Sequence, residues 1–287
     1  MIGCNKSCFL KDFFKENNFP EISRPGNKTG DAHLLEKSGG NYEMALIACN
    51  VTNSTAKSKS IYATLGYTVA NNRGRFMARI KAFEEFAGEY EEWFEKHEWA
   101  YKSELKAVRK LLPDFTHAIE IGIGTGRFAI PLGIKNGVEP SPRMAGIARA
   151  RGLCVVERPC EDLPYDDRQF DLVLMVTTIC FVDDVSKCLS EIDRVLQPGG
   201  HILVGFIDSN SRLGKLYQAK KGASKFYGDA TFYSFTEVRE FLRTSGFDDL
   251  VSVQTIFRPP SEMDSPDEVK KGSGEGSFVV MRGRKAH

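Results

Sequence analysis

The run Ala118-Ile119-Glu120-Ile121-Gly122-Ile123-Gly124-Thr125-Gly126-Arg127-Phe128 constrains the fold more than any other part of the chain. An apolar strand ends on a glutamate, three glycines alternate, and the chain turns toward a helix. Glycine accepts backbone bends that a side chain would obstruct, so a ligand can approach main-chain N–H groups closely at such a turn. Dinucleotides and phosphates use similar turns, so the rest of the chain must decide the ligand.

Around this turn, short β-rich apolar runs alternate with helical stretches, the pattern of a parallel α/β sheet. Strands are predicted at 117–121, 137–139, 153–157, 170–176, 201–206, 250–257 and 277–281, and helices at 142–150, 184–196 and 236–245. Pro198-Gly199-Gly200 is read as a turn that ends one helix and opens the next strand. Before the sheet, Phe83, Phe86, Tyr90, Trp93 and Phe94 recur at three- and four-residue spacing, an apolar helical stripe expected to pack on the sheet domain. A second helix, near 97–112, stops at Pro113. The expected organisation is an N-terminal appendage (1–72), a helical cap (73–113) and an α/β domain (114–287) with a lid insertion at about 208–235.

The chain has 287 residues and a net charge of +1, which gives no reason to expect a nucleic-acid surface. No apolar run reaches bilayer length, and the opening segment is too short and too charged for a signal-peptide core, so a cytoplasmic protein is expected. The seven cysteines are scattered. Cys154, Cys180 and Cys188 lie in core-like segments and read as buried free thiols. Cys4 and Cys8 have no matching second pair, and no metal-ligand spacing is visible among the histidines.

Further features follow the glycine turn in order. Glu139 ends the second strand 17 positions after Gly122, where a carboxylate can accept hydrogen bonds from two ribose hydroxyls. Met144 stands on the next helix, where its side chain can lie against a purine. Then come Cys160-Glu161-Asp162-Leu163-Pro164, the strand 170–176, and the Pro-Gly-Gly turn.

Taken together, Glu120–Gly126, Glu139, Glu161–Pro164, Phe170–Val173 and Leu196–Gly200 resemble the class I S-adenosylmethionine-dependent methyltransferases, in the small-molecule branch akin to ubiquinone and menaquinone biosynthesis enzymes. Tyr90-Glu91-Glu92-Trp93-Phe94 matches a leading-helix element of several members. The resemblance implies a Rossmann-like, doubly wound, seven-stranded, mostly parallel sheet with an antiparallel last strand. It also implies S-adenosylmethionine as cofactor and a small-molecule methyl acceptor as partner.

Residue by residue, Glu120 is expected to orient the glycine loop and the methionine amino group. Gly122, Gly124 and Gly126 let the amino-acid end of the cofactor pass. Glu139 holds the ribose, with Ser141 and Met144 beside the adenosine. Cys160 and Glu161 meet the adenine, Thr177 faces the methionine moiety, and Tyr90 closes over the cofactor. Relatives often carry an aspartate where this chain has Pro159, which shifts adenine recognition to Glu161 or Asp162. No catalytic residue is assigned, because in-line transfer from a sulfonium rests mainly on positioning and desolvation.

Two other classes stay open, an NAD-dependent oxidoreductase and a catalytically inactive protein of the same fold. The first lacks its Gly-x-Gly-x-x-Gly spacing here, and the helix after Gly126 meets Pro131 early. The lid mixes aromatics with Lys215, Lys220 and Lys221, consistent with an anionic or aromatic acceptor or with a solvated helix face. Finally, Asn53-Ser54-Thr55-Ala56 and Tyr62-Ala63-Thr64-Leu65-Gly66-Tyr67 resemble the C-terminal motif of GNAT acetyltransferases, with a gap two residues longer than usual. No acyl-carrier pyrophosphate loop accompanies them, so no acetyltransferase activity is expected.

Overall fold

The computed structural model describes residues 79–286. The acetyltransferase-like fragment, Cys4 and Cys8 lie outside the described residues. Residues 79–85 are helical; α1 (Ala87–Lys96) and α2 (Glu98–Leu111) follow, separated by breaks at Phe86 and His97. The aromatic stripe is therefore bent at Phe86 rather than carried on one straight helix. Phe94 turns into the core, while Phe83 and Tyr90 stay half-buried.

The sheet domain then runs β1 (Ala118–Ile121), α3 (Ala129–Leu132), β2 (Asn136–Val138), α4 (Pro142–Ala150), β3 (Cys154–Val156) and β4 (Phe170–Val176). It continues with α5 (Val185–Val195), β5 (Leu196–Ile207), α6 (Arg212–Ala219), α7 (Phe235–Thr244), β6 (Phe247–Thr255), β7 (Lys270–Lys271) and β8 (Phe278–Lys285). The strand order is β3-β2-β1-β4-β5-β8-β6-β7. β1 to β5 pair in parallel, and β8 inserts antiparallel between β5 and β6. This is the expected mostly parallel sheet with an antiparallel last strand, enlarged by the two-residue edge strand β7.

Alternation along the central strands builds two cores, because successive side chains of a strand point to opposite faces. Leu172, Leu174 and Val176 pack with Ala107 and Val108 of α2 and Ala145 and Ala148 of α4. Val173 and Met175 pack with Leu189 and Ile192 of α5 and Val238 and Leu242 of α7. Helix ends are chemically marked: Ser141 caps α4, Asp184 caps α5, and Ser234 with Glu237 forms a capping box on α7.

Two local expectations are corrected. α5 stops at Val195 and β5 is already paired at Leu196, so Pro198-Gly199-Gly200 lies inside the strand run, not before it. The extra residues are absorbed as a register shift, Phe170 pairing Leu196 but Leu172 pairing His201, with Gly199 at φ +75°. Among the cysteines, Cys180 is a buried free thiol, but Cys188 is not free. It forms a disulfide with Cys160, with Cα atoms 5.0 Å apart. Cys154 is exposed because β3 is the sheet's edge strand.

Candidate active site

The ends of β1, β2 and β4 open onto a cavity of about 210 Å³. At one end lies the glycine turn, whose three glycines all have positive φ: +66° at Gly122, +55° at Gly124 and +87° at Gly126. A Cβ at Gly122 would stand 2.4 Å from the Thr178 side chain, and one at Gly126 would stand 2.3 Å from Leu153. At Gly124 the nearest atom would be the Tyr90 hydroxyl at 3.1 Å, with the Met144 methyl at 3.7 Å. Conformation and close approach thus both demand glycine here.

Two buried carboxylates flank the turn. Glu139 accepts the Gly124 N–H at 2.8 Å on one oxygen and the Ser141 N–H at 2.9 Å on the other. Each oxygen keeps acceptor capacity for a further donor. Burial pushes the Glu139 carboxyl up to about 7, against the two N–H bonds that favour its charge. Glu120, at the end of β1, lies behind the cavity wall. Burial pushes it well above the usual carboxylate range, opposed by a hydrogen bond from the Ala129 backbone and reinforced by the charge of Glu139. Its Oε2 is buried with no hydrogen-bond partner among the described residues.

Gly122, Gly124, Glu139 and Met144 line the cavity, as do Tyr90, Cys160, Glu161 and Thr177. Thr177 has φ +50°, a strained conformation for a β-branched residue, fixed by its N–H bond to the Gly205 carbonyl at 2.8 Å. One Glu161 oxygen accepts the N–H groups of Asp183 (2.9 Å) and Asp184 (3.1 Å). Asp162 instead has a side chain 72% exposed and pairs with Arg158, so of the two acids only Glu161 reaches the cavity. Ser141 and Gly126 lie outside the lining. Ser141 caps α4 through the Met144 N–H at 3.2 Å and also bonds Glu84.

The other end of the cavity is aromatic. Phe83 contacts Phe181 and Phe226 at centroid distances of 5.0 and 5.6 Å, and Tyr217 stacks on Tyr227 at 4.8 Å. Glu104 of α2 also reaches this lining. Lys215 and Lys220 are exposed and, with Lys221, lie outside the lining, so the lid lysines do not make an anion site here.

A crystal structure of a SAM-dependent methyltransferase from Thermotoga maritima, described as a possible histamine N-methyltransferase, matches with 51% identity and a TM-score of 0.71, covering 72% of this chain and 99% of that one. The chain belongs to the S-adenosylmethionine-dependent methyltransferases. The Methyltransferase domain family matches residues 119–204. An uncharacterized protein of Methanocaldococcus jannaschii is 45% identical over 206 residues, 72% of this chain and 100% of the relative. A demethylmenaquinone methyltransferase of Chlorobaculum tepidum is 32% identical over 108 residues, 34% of this chain and 45% of that protein.

Several residues of this candidate site have roles that the sequence did not disclose. Glu91 of α1 bonds Thr125 and pairs with Arg127 and Arg151, tying the aromatic helix to the glycine turn. Burial raises the Glu91 carboxyl, but hydrogen bonds from Arg151, Thr125 and Arg127 outweigh it and hold the group below its ordinary value. Glu91 stood in the leading-helix motif beside Tyr90, but its clamp role was not legible because its partners lie 34 to 60 positions away and carry no local signal. Glu104 was equally hidden. Its signal is its phase, since Ala100, Ser103, Ala107 and Val108 on the same stripe of α2 are all buried.

Proposed function

We propose that this methyltransferase transfers a methyl group in line from S-adenosylmethionine to a small-molecule acceptor held in the aromatic end of the cavity. The observation that carries the reading is the continuity of one lining from Gly122, Gly124 and Glu139 to Phe181, Tyr217 and Tyr227.

The donor end fits the cofactor. Gly122 and Gly124 offer unobstructed backbone to its amino-acid end, with Gly126 completing the turn. The unpartnered Oε2 of Glu120 lies behind that loop, and Thr177 faces it from the end of β4. Glu139 has free acceptor capacity for the ribose hydroxyls. Met144 stands beside the adenosine, Ser141 behind the wall steadies Glu139 through its N–H, and Cys160 and Glu161 meet the adenine. When bound, the sulfonium supplies an activated methyl group. The residues of this chain orient donor and acceptor and exclude water.

The acceptor end is roofed by residues 79–113 of the helical cap and by the lid insertion (208–235), which contribute Phe83, Tyr90, Tyr217, Phe226 and Tyr227. A concave, largely apolar chamber suits a small molecule better than a polymer. The Thermotoga relative's description names an amine acceptor and the Chlorobaculum relative's name a quinone precursor, so the acceptor class has to come from the chamber itself. An NAD site is disfavoured because α3 has only four residues, giving a pyrophosphate little helix terminus to bind.

Calorimetric titration of the full chain with S-adenosylhomocysteine, S-adenosylmethionine and NAD tests the reading. Saturable binding of both adenosyl ligands and none of NAD is expected. Binding of NAD alone overturns it.

A further inference from the structure

Resting on the reading that this cavity is the methyl-transfer site, we propose that the acceptor is a protonatable amine, anchored by Glu104 against the aromatic walls of the chamber.

The inference begins with what Glu104 lacks. It is 6% exposed and lines the cavity. The other buried acids have backbone partners: Glu139 has Gly124 and Ser141, Asp208 has the Asn210 N–H, and Asp267 has the Phe257 N–H and Arg258. Even Glu120 accepts a bond from the Ala129 backbone. Among the described residues no hydrogen bond or ion pair reaches the Glu104 carboxylate. Burial alone acts on it, pushing it up to about 8.

An unpaired buried carboxylate destabilises a fold, so its place in the apolar stripe of α2 has no structural return. A partner brought by the ligand supplies one. The surrounding phenols report where that partner sits. The charge of Glu104 bears on Tyr217, which burial and this charge push up to about 12, and it also raises Tyr90 and Tyr227. Tyr227 stacks with Tyr217 at 4.8 Å and with Phe181 at 6.1 Å, one aromatic wall of the chamber. A carboxylate beside stacked aromatic faces is a site for a cation, through ion pairing and cation–π attraction together.

The remaining charges of the cavity do not compete. Arg79 pairs with Asp183 at 2.9 Å and donates to the Val182 carbonyl, and Arg158 pairs with Asp162, so both guanidinium groups are already engaged. Glu89 pairs with Lys225. An anionic acceptor would meet Glu104 with no neighbouring cation, and a neutral one would leave it unpaired.

The same carboxylate serves the reaction. The bound ammonium gives one proton to Glu104, which becomes a neutral acid. The nitrogen lone pair then forms the N–C bond as the S–C bond breaks, and that electron pair stays on sulfur as a thioether. The methylated ammonium carries the positive charge away, and the proton left on Glu104 passes to solvent when the next ammonium pairs with it.

The test uses a charge series of one shape on the full chain: phenethylamine, 2-phenylethanol and 3-phenylpropionate, titrated calorimetrically with and without saturating S-adenosylhomocysteine. Phenethylamine is expected to bind at least about tenfold more tightly than 2-phenylethanol, and 3-phenylpropionate weakest of all. In Glu104→Gln the amine preference should collapse while 2-phenylethanol changes less than about threefold. Equal binding of the three, preference for the carboxylate, or an amine preference that survives Glu104→Gln overturns the inference. The wild-type series decides without the variant. S-adenosylhomocysteine binding without amine preference defeats this inference alone, whereas failure of S-adenosylhomocysteine to bind defeats the methyltransferase reading beneath it.

Discussion

The two ends of the cavity are built in opposite ways. The donor end is mostly local: the glycine turn, Glu139 and Met144 come from one stretch running from β1 into α4, with Cys160, Glu161 and Thr177 added after β3 and β4, and the backbone of the turn shapes it. The acceptor end is assembled from residues 79–85, α1, α2, α6 and the loops around Phe181 and Tyr227, and side chains shape it. A backbone-built site tolerates little change, because each glycine conformation admits almost no side chain. A site built from side chains can be retuned one contact at a time, which suits the half of an enzyme that chooses the substrate.

Substitutions should separate these ends, and the largest effect belongs to the glycine turn. Gly122→Ala places a Cβ 2.4 Å from Thr178 at φ +66°. It should weaken S-adenosylhomocysteine binding by at least about 100-fold in calorimetry. Adding Thr178→Gly should recover only part of the loss, since the steric conflict goes and the backbone strain stays. Full recovery would show that the conformation itself is not needed.

Glu104→Gln should act oppositely on stability and on amine binding. The Glu104 carboxyl sits near 8 in the folded protein against about 4.5 ordinarily, so the stability it contributes is complete at low pH and is lost as pH rises through about 8. The variant escapes that loss. Its gain should be near zero at pH 4 and on the order of a few kcal/mol at pH 9, about 5–10 °C in Tm by scanning calorimetry. A destabilised variant at pH 9 would mean that Glu104 has a structural partner.

Glu139→Gln should weaken S-adenosylhomocysteine binding about 10- to 30-fold at pH 8, with phenethylamine affinity in its absence changed less than about twofold. In the wild type, S-adenosylhomocysteine affinity should fall as pH drops through about 7, because a protonated Glu139 is a poorer acceptor for ribose hydroxyls. The smallest effect is expected from Glu91→Gln, which loosens the clamp on Arg127 and Arg151. Because α1 carries Tyr90 over the glycine turn, this change should cost about threefold in both ligands. An effect confined to one ligand would show that the two ends are independent.

The contrast also explains what the sequence disclosed. Strand alternation and the glycine turn are local signals, so the sheet and its antiparallel β8 were legible, as was the grouping of Gly122, Gly124, Glu139 and Met144 on one cavity lining. The disulfide between Cys160 and Cys188 was not, because it joins a loop to a helix 28 positions on. The Pro-Gly-Gly run misled because a β-bulge and a helix stop use the same residues, and only the Leu196 pairing distinguishes them. Glu104 carried no site reading in the sequence; its meaning depends on α2 facing β6 and β8 and on Tyr217 and Tyr227 arriving from α6 and the loop beyond.

The most direct measurement is a crystal structure of the full chain with S-adenosylhomocysteine and phenethylamine bound together. Expected is the adenosyl ligand with its ribose on Glu139 and its amino-acid end over Gly122 and Gly124, and the ammonium within hydrogen-bonding distance of Glu104. An adenosyl ligand away from Glu139, or an amine turned away from Glu104, would contradict the division of the cavity into a donor end and a cation-binding acceptor end.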